Sequence, residues 1–216
     1  FDRNWAEAER WFAQALAHPV VHWHVRVWYA WFCLQVMGRS EEARRHLEIS
    51  LADNPLNHMV HWAQGAVMEA LTSPHAAAQA YRRILEVEPG NWMATWAFAL
   101  QQARQGEFQE ARRLAVQALA AAPWAAYARG TMAGVLIHEG KAAEAQTLFA
   151  GQQSPVAKAC AAIALSDADG AADALIEALE QDYVKSVVML IGPHRPLLQP
   201  SRRWHELAAK LGLPGE

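Results

Sequence analysis

Apolar residues recur along this chain three and four positions apart, the spacing of helix faces, and β-branched runs are nearly absent beyond Val20-Val21 and Val187-Val188. From Asn57 to Glu88 the pattern resolves into two helices. The first carries Met59, Trp62, Ala66 and Ala70 on one stripe, with Gly65 and Met68 on another. The second carries Ala77, Tyr81, Ile84 and Leu85. Asn57 is placed as the N-cap of the first helix, and Ser73-Pro74 supplies cap and first position for the second. Pro89-Gly90-Asn91 stops the second helix and caps the next.

The same grammar returns every 34 residues. That interval links Trp28, Trp62 and Trp96, then Ala43, Ala77, Ala111 and Ala145, then Pro55, Pro89 and Pro123. Gly38, Gly106 and Gly140 each open a short string ending in Glu-Ala and occupy the turn between the two helices of a unit. The alanine of each string marks a close helix crossing, and a larger anchor follows it at Leu47, Tyr81 and Phe149; Ala115 stands there in the fourth place. A period of this length means stacked helix pairs, each burying its apolar face only against its neighbours.

The period, the small residues at crossings, the anchor and the closing proline resemble the tetratricopeptide repeat family over Trp5 to Gln181. The resemblance implies an all-α fold, a right-handed superhelical solenoid of antiparallel helix pairs. Four full units begin near His24, His58, Trp92 and Ala126. A segment with Ala8, Phe12, Ala15, Leu16 and Pro19 precedes them as a second helix lacking its first, which suggests a truncated unit. Val156–Leu165 and Ala171–Glu180 form a degenerate pair. The array thus spans 1–181 and a capping segment 182–216, where Gly192-Pro193, Pro196 and Pro200 break the chain before a last helix from Arg202 to Leu211 covers the open end. The strings from Trp5 to Phe12 and from Arg203 to Pro214 also resemble the C-terminal repeat regions of large bacterial signalling proteins, which carry a kinase, cyclase or winged-helix domain ahead of the repeats.

Charge narrows the function classes. A net charge of -3 and a pI near 6.4 give no clustered cationic surface for nucleic acid. No apolar stretch approaches the ~20 residues that span a bilayer, and a cytoplasmic setting is expected. Cys33 and Cys160 sit in different units and read as reduced packing cysteines. No phosphate loop, Gly-x-Ser-x-Gly elbow or His-Glu-x-x-His string is present, so neither enzyme activity nor cofactor is expected. His18, His22, His24, His58 and His61 cluster, with His24 and His58 repeat-equivalent, but they read as polar helix-start residues rather than metal ligands.

The resemblance further implies that the first helix of each unit lines a concave groove. Its residues here are Val25, Trp28, Phe32 and Gln35; Met59, Trp62, Ala66 and Glu69; Met93, Trp96, Leu100 and Arg104; and Tyr127, Gly130, Gly134 and His138. Trp, Phe, Met and Ala stand where a carboxylate-gripping member would carry Lys, Asn and Arg. The expectation is therefore an apolar, Trp-lined groove for a protein or peptide segment. The alternatives are a regulatory module binding a small ligand there, or a scaffold that self-associates through an exposed end helix, Asp2–Ala17. Trp31 departs from the pattern, since Gly65, Ala99 and Ala133 hold its place, and it should widen the first unit.

Overall fold

The computed structural model describes residues 3–149 and 154–214, all of them helix or connecting turn. Helix α1 spans Trp5–Leu16, and α2 spans Trp23–Tyr29 and runs into a π-helical turn, Ala30–Leu34. The remaining helices are α3 (Ser40–Asp53), α4 (His58–Ala70), α5 (Pro74–Val87), α6 (Trp92–Arg104), α7 (Phe108–Ala121), α8 (Ala126–His138), α9 (Ala142–Phe149), α10 (Pro155–Ala164), α11 (Ala168–Glu180), α12 (Val184–Leu198) and α13 (Trp204–Leu211). They form the all-α solenoid expected, with α2 through α11 as five stacked pairs.

Local chemistry sets the boundaries. The Asn57 side chain accepts from the Met59 and Val60 N–H groups, and Asn91 accepts from Ala94, so each opens its helix. Gly38, Gly106 and Gly140 take φ of +80°, +82° and +77° at the turns inside their units. Thr72 and Ser166 hold the corresponding turns with φ of +54° and +56°, a left-handed conformation that side chains tolerate poorly. The crossing alanines Ala43, Ala77 and Ala111 are fully buried. A Cβ on Gly65 would lie 2.5 Å from the Tyr81 ring, which shows how closely α4 and α5 approach.

In the first unit Trp31 stands where Gly65 stands in the second, and the backbone answers with the π-helical turn. Trp31 lies inward there at 2% exposure, with its ring centroid 3.9 Å from that of Trp62. In the fourth unit Gly130 and Gly134 mark the crossing of α8 with α10. A Cβ on Gly130 would fall on the Ala157 carbonyl, and one on Gly134 would sit 2.8 Å from the Ala161 oxygen.

Two expectations for the C-terminal segment are corrected. Gly192, Pro193 and Pro196 do not break it, because α12 continues through them. Nor is this segment confined to the open end: α12 packs on α11, then turns back across the concave face to meet α4 and the π-helical turn. Helix α13 does cover α11, where Asp169 binds the Ser201 hydroxyl and the Arg202 guanidinium and Lys210 pairs with Glu180. The expected end helix α1 keeps Trp11 exposed but is tied down at its start. Asp2 lies outside the described residues, but Trp5 of α1 is buried, and its indole donates to the Leu211 carbonyl of α13 over 2.8 Å. Arg3 donates likewise to the Lys210 carbonyl. First and last helices therefore meet.

Candidate functional site

The concave face is built by the first helices of the pairs, and α12 lies along it from the fourth unit to the first. Tyr127 of α8 donates to the Ser186 hydroxyl at 2.8 Å. Met189, Pro193 and His194 share a small space with Trp62, Ala66, Glu69, Trp96, Ala97 and Leu100. Gly192 abuts the side chain of Gln35, where an added Cβ would be 3.0 Å from the amide carbon. Arg195 donates to the Val36 carbonyl. The groove expected to be open is thus filled in its deep half by the chain's own helix.

This divides the expected groove residues. Gln35, Trp62, Ala66, Glu69, Trp96 and Leu100 are buried. Arg104 is largely covered, and Tyr127 is turned into the contact with α12. Gly130 and Gly134 belong to the α8–α10 crossing rather than to a docking surface. His138 lies outside it too, exposed and stacked on Phe108 of α7 at 3.5 Å. Val25, Phe32, Met59 and Met93 remain partly exposed, and Trp28 is 51% exposed with its ring edge-on to Phe32. The inner rung of the first unit is Trp31, which sequence reasoning set aside as an irregularity. Its signal was present, a tryptophan at a close crossing, but the π-helical turn that redirects it has no sequence period.

Trp62 and Trp96 differ in one hydrogen bond. The Trp96 indole donates to Thr131 of the next unit at 3.1 Å, and Thr131 in turn donates to the Tyr127 carbonyl. The repeat-equivalent of Thr131 beside Trp62 is Ala97, which offers no oxygen. Among the described residues the buried polar side-chain atoms without a partner are the Trp31 and Trp62 indole nitrogens, both amide atoms of Gln35, and Nε of Arg104 and of Arg203. All but the last lie on the face that α12 covers. Each such atom costs about 1–3 kcal/mol relative to a paired one.

A buried charged cluster ties α12 to the middle units. Tyr81 donates to Glu69 at 2.8 Å, Arg104 reaches Glu69 at 3.3 Å, and the same Arg104 nitrogen lies 3.1 Å from Nδ1 of His194. Burial raises the Glu69 carboxyl from 4.5 to about 7, against the pull of Arg104 and Tyr81. Burial, then Arg104, holds His194 well below its ordinary value, so the ring is neutral and accepts from the guanidinium.

Other candidate chemistry stays apart. Burial raises the Cys33 thiol to about 12 and lifts Cys160 higher still, which leaves neither as a ready nucleophile. His24 does not stack on His58; it stacks on His22, while His58 pairs with Glu88. Among the described residues no group of three or more His, Cys, Asp or Glu side chains is placed to hold a metal, and no helix is long and apolar enough to cross a membrane.

The family model for the tetratricopeptide repeat matches residues 102–160, the span from the end of α6 to α10. Over that span the chain matches a tetratricopeptide repeat. Two solved tetratricopeptide-like solenoids share the fold across nearly their whole length. One is described as PilW, a widely conserved type IV pilus biogenesis factor, at 18% identity with a TM-score of 0.64, covering 88% of this chain and 91% of that one. The other is pilF of Pseudomonas aeruginosa, also at 18% identity, with a TM-score of 0.56 and 95% of each chain covered. No curated protein sequence matches the chain.

Proposed function

We propose that the chain docks a protein segment on the part of the concave face that α12 leaves open, the strip formed by Val25, Trp28, Phe32, Met59 and Met93. The observation that carries this reading is Trp28. It keeps half its surface in water although it is repeat-equivalent to two buried tryptophans. Val25, Met59 and Met93 are themselves repeat-equivalent, so they line up along the stack beside it. A large amphipathic ring with few rotatable bonds, flanked by thioethers, suits a protein partner that brings an apolar anchor. The deep face contributes through Gln35, Trp62, Glu69, Trp96, Leu100, Arg104 and Tyr127, which hold α12 as one wall of the strip. The cytoplasmic setting belongs to the same proposal, supported by two buried free thiols.

A benzophenone side chain introduced at position 28 in the native host tests the reading. Irradiation is expected to give a discrete adduct with another protein. An adduct with a second copy of this chain would move the reading to self-association through the Trp28 strip. No adduct at 28, with none from the same probe at 59 or 93, would overturn it.

A further inference from the structure

We propose that α12 is a displaceable internal occupant of the concave face, and that the segment displacing it is an apolar helix of another protein with an oxygen-bearing side chain where α12 presents Pro193. This deepens the protein-docking reading and rests on it.

The face and its occupant match in shape but not in hydrogen bonding. Gln35 meets Gly192, Trp62 shares a small space with Pro193, and Arg104 meets His194. Each of the three groove residues carries a buried donor that nothing accepts: the Gln35 amide, the Trp62 indole and Arg104 Nε. The occupant supplies only a glycine, a proline ring and one imidazole nitrogen. Trp96, one unit along, shows what the same indole does with an oxygen beside it.

The occupant is also a poor helix. Pro193 has no N–H for the Met189 carbonyl, and Pro196 has none for that of Gly192. Asp182, at the joint with α11, takes φ of +64° without being glycine. Helix α13 keeps its own hold on α11 and α1 through Asp169, Glu180 and Trp5, so α12 can leave without the helix that follows it. A competing helix with the apolar spacing of Val187, Met189 and Leu190, unbroken by proline and carrying Asn, Gln, Ser or Thr at the Pro193 place, would fill the same face and pair its indole.

Two measurements on the full chain test this. In hydrogen exchange, the amides of 184–198 should exchange at least ten-fold faster than those of α4, α6 and α8. Exchange at the same rate as those helices, through global unfolding, would overturn displaceability whatever partner Trp28 contacts. The second uses fluorescently labelled synthetic peptides of residues 184–199, with P193N or P193L, followed by anisotropy. Both remove Pro193 and keep Pro196, so they share one backbone pattern, but only P193N adds an acceptor. P193N should bind the chain at least ten-fold more tightly than P193L. Equal affinity, or binding by neither, would overturn the acceptor chemistry.

Discussion

Trp62 and Trp28 share a repeat position and should respond oppositely to the same truncation. Trp62 is 4% exposed between Trp31 and α12, so Trp62→Ala leaves a cavity and should cost about 3–5 kcal/mol in chemical denaturation. Trp28→Ala removes a half-exposed ring and should cost under about 1 kcal/mol. The sequence showed both tryptophans in register but not this difference, because it arises beside a π-helical turn and from a helix more than a hundred positions away. The unpaired indole has its own test. Ala97→Ser puts a hydroxyl where Thr131 serves Trp96, and should raise stability by about 1 kcal/mol, read as a rise of about 2–4 °C in melting temperature. A fall would mean that the hydroxyl stays on its own helix backbone.

The helices were legible wherever the 34-residue period ran, because caps, crossing alanines and turn glycines are local signals that repeat together. Helix α12 was not legible as a helix, since Gly192, Pro193 and Pro196 argue locally against one and only burial against α4 and α11 overrides them. The same burial gives the helix a pH-dependent anchor. The Glu69 carboxyl rises from 4.5 to about 7 on folding, so the folded chain holds that proton more firmly than the unfolded chain does. Its contribution is present in full below the unfolded value and is lost as pH rises through about 7. Glu69→Gln fixes the neutral form, so the stability of the parent relative to this variant should decline from about pH 5 to about pH 8. A parent that instead gains on the variant as pH rises would show that Glu69 is held ionised by Arg104.

For the whole molecule, the repeat architecture followed from the period, while the meeting of α1 with α13 did not. No sequence periodicity links residues this far apart, and the contact consists of the buried Trp5 indole and the Arg3 guanidinium on two backbone carbonyls. Trp5→Phe keeps the apolar ring and removes the bond to Leu211. Hydrogen exchange should then quicken in α1 and α13 together, with α4 to α8 unchanged. Quickening in α1 alone would show that α13 depends only on α11.

An array of stacked pairs held between two handles in an optical trap would ordinarily lengthen like a spring and then give way one pair at a time. Here the two helices at the extremes clasp each other, so tension applied through residues near them loads the Trp5–Leu211 contact before any pair. The solenoid should bear force stiffly until that clasp parts. Only then should it extend gradually, leaving a single abrupt step ahead of the series.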